Sequence, residues 1–192
     1  MKTLDDVYAY WFAVPMDYKK WFLDGEKLDA EIRTAFGSLH TRIATKDIVT
    51  HDLSTKHVLA TIILLDQFSR HIYRGQAAAY AADARALRYA LTLLNNGQLA
   101  YLQPSEQLFA LMPLQHSEWI GHKDIVLAFA TRQLQTCDVA AQPIYTSLIL
   151  HTNGHREVLL QFGRYPKRNA ALHRTSTPEE HAYLRETGSR AY

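Results

Sequence analysis

The sequence contains a single cysteine, Cys137, among its 192 residues. One thiol cannot build the internal disulfide framework on which small exported proteins commonly depend, so we expect a cytoplasmic protein. Long hydrophobic runs are also missing, because the longest apolar stretch, residues 58–65, is far too short to span a bilayer. Asp5 and Asp6 interrupt the region in which a signal peptide needs an apolar core. These absences predict a soluble protein without a membrane segment.

A strong excess of charge of one sign is absent as well. The formal net charge is +2 and the pI is about 8.6, so nothing predicts a strong attraction of the whole molecule to nucleic acid or membranes. The sign changes along the chain, with nine acids and seven bases in residues 1–52 but ten acids and fourteen bases in residues 53–192. Any anion-binding face is therefore expected in the later part.

The strongest catalytic and metal signatures are not present. The sequence has no glycine-rich phosphate loop, nucleophile elbow, paired CxxC or HExxH motif. Glu118 and His122 have the i, i+4 spacing of helical metal ligands, as do His151 and His155, but two ligands do not make a site. We therefore predict no metal and no cofactor.

Helical periodicity runs through almost the whole chain. Thr3, Ser54 and Thr177 are placed to cap helices, and the apolar spacing from Glu26 to Ile43 is amphipathic. The remaining predicted features are an end to the first helix at Pro15, a stop at Gly75, an alanine-rich helix over residues 77–97, a helix from Pro104 that Pro113 kinks or divides, a helix over Lys123–Leu134, and a helix from Pro143 to about Leu160.

No segment sustains the period-two alternation of a strand, so the predicted fold class is all-α. Roughly eight helices joined by short connections favour antiparallel helical hairpins. No low-complexity linker divides the chain, which predicts one domain over residues 1–192.

The segment LLDQFSRHIYRG, residues 64–75, places polar side chains within an apolar helical run. Asp66, Arg70 and Arg74 recur every four residues and form one stripe, roughly opposite the stripe that contains Phe68 and Ile72. A solvent-exposed ion pair of this kind contributes only about 0.3–0.5 kcal/mol. The functional alternative is that Asp66 fixes Arg70 so that its guanidinium, with that of Arg74, binds a carboxylate or phosphate.

Two later segments carry further candidates. In LMPLQHSEWIGH, His116 lies beside Glu118 after a proline, so the two could form an acid–base pair or simply hydrogen bond at a helix end. In HREVLLQFGRYPKRN, Arg164, Lys167 and Arg168 surround a glycine and a proline, which makes the loop a candidate anion site. No RNA-binding or DNA-binding module is recognisable, so nucleic acid is a less favoured partner than a small anion.

The sequence resembles the bacterial domain-of-unknown-function family numbered 924 over almost its full length. The resemblance is carried by the three segments above, by the RTSTPEE that follows them, and by the dipeptides Trp11-Phe12 and Trp21-Phe22. The resemblance implies an all-helical fold of the tetratricopeptide-like superfamily and supplies no reaction. The family pattern falls on Asp66, Gln67, Phe68, Arg70, Ile72, Tyr73, Arg74, Gly75, Pro113, His116, Ser117, Glu118, His155, Phe162, Gly163, Arg164, Pro166, Arg168, Asn169, Ser176 and Thr177.

This sequence departs from the family pattern at four positions. Ser69 replaces the usual proline and His71 the usual asparagine, while Trp119 replaces an acidic residue and Lys167 a histidine. The change at Trp119 weakens a scheme with two adjacent carboxylates. The change at Lys167 weakens a metal scheme, because an ammonium is a poor ligand at neutral pH.

Three hypotheses follow from these residues. The first is a binding module in which Arg70, Arg74, Arg164 and Arg168 converge on the anionic group of a small ligand or peptide terminus. The second is an enzyme with His116 as acid or base and Glu118 as its orienting partner. The third is a buried polar network without a ligand. The predicted ligand-binding residues are Asp66, Arg70, Tyr73, Arg74, His116, Glu118, His155, Arg164, Arg168 and Asn169.

Overall fold

The computed structural model describes residues 1–13, 21, 25–46 and 53–188. All regular secondary structure in these ranges is helical, which confirms the all-α class. The α-helices are α1 (Leu4–Trp11), α2 (Gly25–Ala44), α3 (Thr55–Ile62), α4 (Asp83–Asn95), α5 (Pro104–His116), α6 (Gly121–Thr136), α7 (Gln142–Phe162) and α8 (Pro178–Thr187). Within the described ranges, no helix has both the length and the apolar character needed to cross a membrane.

Helix α3 continues without interruption into a π-helical segment, Ile63–Phe68, and one last α-helical turn, Ser69–Ile72. We call the whole of residues 55–72 the composite helix. Helices α1, α2 and α4 all pack against it, so its side chains are buried on nearly every side. Because π-helical turns contain more residues than α-helical ones, a wheel drawn at 100° per residue misplaces the residues after Ile63.

The alternative of a solvated polar stripe along this segment is therefore wrong for two of its three members. Asp66 is 0% exposed and Arg70 is 9% exposed, although the helical wheel set both opposite the apolar stripe. Helices surround the segment on several faces, so burial is not confined to one stripe.

Local signals placed the ends of several helices correctly. Thr3 and Thr177 each form a capping box, with Asp6 and Glu180 respectively, and the Ser54 hydroxyl accepts a hydrogen bond from the backbone N–H of His57. Gly75 follows the composite helix with φ of 78°, and Gly163 ends α7 with φ of 69°. Both glycines adopt the left-handed conformation that favours glycine.

Three helix predictions differ from the structure in extent. The alanine-rich helix begins only at Asp83, where a carboxylate favours the helix N-terminus, and Ala77–Tyr80 forms a 3₁₀ turn instead. Helix α5 runs through Pro113 without a break, and α6 extends beyond the predicted range at both ends. The predicted helix end at Pro15 and the aromatic residue Phe22 lie outside the described residues.

Backbone contacts divide the chain into two compact units. Unit 1 comprises Met1–Arg74 and Ala78–Pro113, and unit 2 comprises Gly75–Ala77 and Leu114–Tyr192. The predicted organisation as one domain stays a prediction.

Each unit has its own apolar core. In unit 1 the rings of Trp11, Trp21 and Phe109 contact one another, with centroid separations of 4.8 to 6.5 Å, and Trp21 Nε1 donates a hydrogen bond to the carbonyl of Trp11 at 2.9 Å. Both N-terminal tryptophans are therefore core residues. In unit 2, α6 packs against α7 across a short connection, with Val126 and Leu148 fully buried.

Candidate functional site

In unit 1, Arg70 is held by acidic side chains on the composite helix and on α4. Its Nη1 and Nη2 donate to the two carboxylate oxygens of Asp83 at 3.1 and 3.2 Å, and Nη1 lies 3.5 Å from Oδ1 of Asp66 and also donates to the Asp66 carbonyl. Burial alone would lower the pKa of Arg70, but the two carboxylates outweigh it and the net shift is upward. This guanidinium is thus a fixed cation inside the fold.

Arg74 is paired with Asp29 on α2. Arg74 Nε and Nη2 donate to the two Asp29 oxygens at 2.5 and 2.7 Å, and His71 Nδ1 lies 2.9 Å from the same carboxylate. Burial would raise the pKa of Asp29, but the hydrogen bonds from Arg74 and His71 lower it overall. Tyr73 points elsewhere, with its ring 5.4 Å from that of His40 on α2.

In unit 2, Glu118 holds the loop after α7 in place. Its two oxygens accept hydrogen bonds from Arg174 Nη1 at 2.8 Å and Nη2 at 3.0 Å, and Oε1 also accepts from the backbone N–H of Tyr165 at 2.8 Å. Burial would raise the pKa of Glu118, but these donors lower it overall. Tyr165 is further fixed because its hydroxyl donates to the Gln115 carbonyl at 2.7 Å.

A second carboxylate, Glu180 at the start of α8, holds the same loop from another element. Arg164 Nε and Nη2 donate to it at 2.6 and 2.8 Å, and Asn169 Nδ2 donates to it at 3.1 Å. The hydrogen bond from Arg164 is the largest of the effects that lower the pKa of Glu180 to about 2. The loop therefore carries two bidentate arginine–carboxylate pairs.

Lys123 on α6 lies beneath the Tyr165 loop and is fully buried, with 0% exposure. Its ammonium donates to the carbonyls of Leu114 at 2.7 Å and Ser117 at 2.5 Å, at the C-terminal end of α5. Its Nζ is also 5.7 Å from the centroid of the Tyr165 ring. Burial, followed by the charge of Arg168, lowers the pKa of Lys123 to about 7.

His155 on α7 lies in the same positive surroundings. Its ring contacts the Tyr165 ring at 5.3 Å, and the Arg168 guanidinium lies 4.8 Å from the Tyr165 ring centroid. Burial lowers the pKa of His155 to about 3, helped by His116, Lys123, Arg168 and His151. We call His116, Lys123, His155 and Arg168 the positive cluster.

The predicted site residues thus fall into several groups. Asp66 and Arg70 contact each other, whereas Arg74 is bound to a different acid in the same unit. In unit 2, His116, His155 and Arg168 belong to one electrostatic cluster, while Glu118, Arg164 and Asn169 belong to the pairs that fix the loop. The sequence predicted that four arginines, Arg70, Arg74, Arg164 and Arg168, converge on one ligand. The first two belong to unit 1 and the last two to unit 2, so their convergence stays a prediction.

Sequence reasoning missed three residues that organise unit 2. Arg174 and Glu180 both lie in the RTSTPEE segment, whose motif was recognised although no site role was assigned to its charges. The sequence did offer one signal for them, because Arg174 and Glu180 carry opposite charges at the two ends of a proline-containing segment. Lys123 gave no such signal, because a lysine within a helix normally extends into solvent.

Among the residues that the structure describes, no group of three or more His, Cys, Asp or Glu side chains is arranged to hold a metal ion.

Comparison with family models finds a match over residues 7–188 to the family described as "Bacterial protein of unknown function (DUF924)". The chain belongs to this family. A solved structure, "Structure of Protein of Unknown Function ATU0120 from Agrobacterium tumefaciens", is similar to this chain with a TM-score of 0.79 and 27% sequence identity. The similarity covers 95% of this chain and 97% of that one. Comparison with curated proteins gives no match.

Membership in the DUF924 family confirms the resemblance drawn from the motifs. Neither the family's description nor that of the similar structure names a ligand or a reaction. The matched range contains the positive cluster and both arginine–carboxylate pairs of unit 2. Any function must therefore be argued from the chemistry of these side chains.

Proposed function

We propose that this protein is a helical binding module that holds a small anion, a carboxylate or a phosphate, at the positive cluster of unit 2. The tetratricopeptide-like character of the module is part of the proposal. The observation that carries it is the gathering of Lys123, His155 and Arg168 around the Tyr165 ring, at 5.7, 5.3 and 4.8 Å from its centroid. Burial first, and then the neighbouring positive groups, lower the pKa of His155 to about 3. An anion placed there would reverse this unfavourable accumulation of positive charge.

The geometry around Tyr165 supports this choice of position. The Arg168 guanidinium lies 4.8 Å from the centroid of the Tyr165 ring, and the His155 ring contacts the same tyrosine. A guanidinium stacked on an aromatic ring is held in a defined orientation. The proposal therefore places the anion beside Arg168, with the histidines of the cluster as additional hydrogen-bonding groups.

The contacts of Glu118 favour binding over acid–base catalysis with His116. Its oxygens accept three hydrogen bonds from Arg174 and Tyr165, and its lowered pKa keeps it ionised. A carboxylate so engaged positions the loop and is a weak base.

The third hypothesis, a polar network without a ligand, has specific support in unit 1. Arg70 and Arg74 are each bound by at least one carboxylate with bidentate geometry. We propose that these pairs fix the composite helix against α2 and α4 and bind no ligand.

The test of the anion site is a thermal-shift titration with sodium phosphate and sodium acetate against sodium chloride at equal ionic strength. We expect at least one of the two test anions to raise the Tm of the wild type. Arg168→Gln is expected to lose most of that rise. The control Arg156→Gln removes a cation of α7 whose partner is the exposed Asp124, and it should keep the rise.

Two results would contradict the proposal. One is a wild-type Tm that neither anion raises above the chloride reference. The other is an equal rise in Arg168→Gln and in Arg156→Gln, which would place the anion elsewhere.

A further inference from the structure

Lys123 and Arg168 lie on the same aromatic ring of unit 2. The Lys123 ammonium is 5.7 Å from the centroid of the Tyr165 ring, and the Arg168 guanidinium is 4.8 Å from it. The two cations are therefore separated by no more than the sum of these distances, although Lys123 is fully buried and Arg168 is partly exposed. A charge beside Arg168 can thus act on Lys123 through space, without any contact between them.

The hydrogen bonds of Lys123 can persist when its ammonium loses a proton. The side chain donates to two backbone carbonyls, those of Leu114 and Ser117, whereas an ammonium has three N–H donors. A neutral amine keeps two donors, which is the number that these carbonyls require. One proton can therefore leave or return without breaking either bond, so Lys123 can titrate inside the folded protein.

The charges around Lys123 set its affinity for that proton. Burial first, and then the charge of Arg168, lower the pKa of Lys123 to about 7, while Glu118 acts in the opposite direction. The effect of Arg168 shows that a single charge at its position changes the proton affinity of the buried amine. An anion beside Arg168 carries the opposite sign and would strengthen proton binding.

Other titratable or charged groups share these surroundings. They are Glu118, Tyr165 and Arg168 in the loops beside α5 and α7, His116 on α5, His122 on α6, and His151 and His155 on α7. Lowered pKa values keep Glu118 ionised, and His122 and His155 neutral, above pH 7. Burial raises the pKa of Tyr165, and the guanidinium keeps its charge. A test must therefore separate Lys123 from His116 and His151.

We propose that anion binding at the positive cluster is coupled to proton uptake by Lys123, so that the anion is held at lower pH and released as the pH rises above neutrality. The inference rests on the proposed function and adds a means of regulating the same site. Reciprocity requires that the charged amine strengthens anion binding by the same factor by which the anion strengthens proton binding. Unit charges roughly 10 Å apart at an effective dielectric constant of about 20 give a factor on the order of ten.

Titration calorimetry with sodium sulfate and sodium acetate at constant ionic strength tests this coupling, because neither anion changes its charge between pH 7 and pH 9. With a tenfold coupling, the affinity of the wild type should fall about fivefold from pH 7 to pH 9. At pH 7.5 each bound anion should bring about half a proton with it. That uptake is measured from the dependence of the observed heat on the ionisation enthalpy of the buffer.

Lys123→Met removes the titrating amine and leaves His116 and His151 in place. Its affinity for the anion should be the same at pH 7 and pH 9, and the proton uptake at pH 7.5 should be lost. Lys56→Met is the matched control, since it removes a half-exposed lysine paired with Asp5, and it should keep both effects. The uptake measured on the wild type needs no variant, so it tests the coupling even where a variant folds poorly.

The possible results separate this inference from the anion site itself. An anion that binds the wild type with equal affinity at pH 7 and pH 9 and without proton uptake would overturn the inference and leave the site standing. Unchanged pH dependence in Lys123→Met would assign the proton to a histidine and overturn it as well. If neither anion binds at pH 7, the proposed site fails together with the inference.

Discussion

Replacement of Lys123 with methionine should change how the stability of the protein depends on pH. In the folded protein burial lowers the pKa of Lys123 from 10.5 to about 7. Between these two pH values the unfolded chain binds a proton that the folded chain does not bind. The free energy of unfolding of the wild type should therefore rise with pH across this range and stay level, as far as Lys123 is concerned, below pH 7.

The size of the effect follows from the pKa difference. One pKa unit corresponds to about 1.4 kcal/mol, so a difference of 3.5 units costs the folded state about 5 kcal/mol when Lys123 is protonated in both states. From pH 7 to pH 9 the wild type should recover about 2 kcal/mol of this cost. Lys123→Met has no titrating group at this position and should lack that gain.

The same substitution also removes two hydrogen bonds to the C-terminal carbonyls of α5. Each such bond contributes about 1 kcal/mol, which together is less than the cost of about 5 kcal/mol, and a buried methionine adds apolar contact, so Lys123→Met should be more stable than the wild type near pH 7. Urea denaturation at pH 7, 8 and 9 measures both quantities. Lys56→Met, which removes a half-exposed lysine paired with Asp5 at 3.4 Å, is the control and should keep the pH dependence of the wild type.

Parallel pH profiles for the wild type and Lys123→Met would refute the reasoning, because they would mean that the buried amine does not titrate between pH 7 and pH 10. A strong loss of stability at pH 7 in the variant would show that the two carbonyl contacts outweigh the cost of burying the amine.

Three further predictions concern the other charged residues. Arg70→Leu should lower the free energy of unfolding by about 3 to 5 kcal/mol, because the buried Asp66 and the partly buried Asp83 lose their shared cation; an unchanged urea midpoint would contradict this. Glu180→Gln should be destabilising at pH 7, and the difference from the wild type should shrink as the pH falls from 4.5 toward 2, because the lowered pKa makes the contribution of Glu180 disappear there. Thermal unfolding across that range checks the trend, and a constant difference would argue against it. His155→Leu should lose less stability than the wild type on acidification from pH 6.5 to pH 5, since the unfolded chain takes up a proton that the folded His155, with its pKa of about 3, does not; equal losses in Tm would refute it.

Local signals in the sequence were sufficient for the class of the fold and for most helix ends. Thr3, Ser54 and Thr177 cap helices as predicted, since a cap depends on neighbours within three residues. The π-helical segment was not predicted, because the choice between α-helical and π-helical turns depends on the helices packed around residues 63–68. Helix propensity alone likewise placed the start of α4 too early.

The charged residues of unit 2 show a similar limit. Sequence reasoning selected Glu118 and Arg164 as unusual, but their partners come from more distant positions in the chain. Arg174 is 56 residues from Glu118, and no helical spacing relates the two. The sign of each charge was available from the sequence, whereas the pairing that balances Arg164 and Arg174 required the fold.

The π-helical segment has a consequence for how insertions and deletions affect this protein. A segment of this kind contains one residue more than an α-helix would need to cover the same contacts. Deletion of a single residue between Ile63 and Phe68 should therefore restore α-helical turns and leave the later side chains in their present register. Arg70 would keep Asp83 as its partner, and His71 would keep Asp29. The same deletion within the α-helical residues Thr55–Ile62 would instead rotate every later side chain by about 100°. The π-helical segment is therefore the part of the composite helix at which the chain can lose a residue without losing these acidic partners.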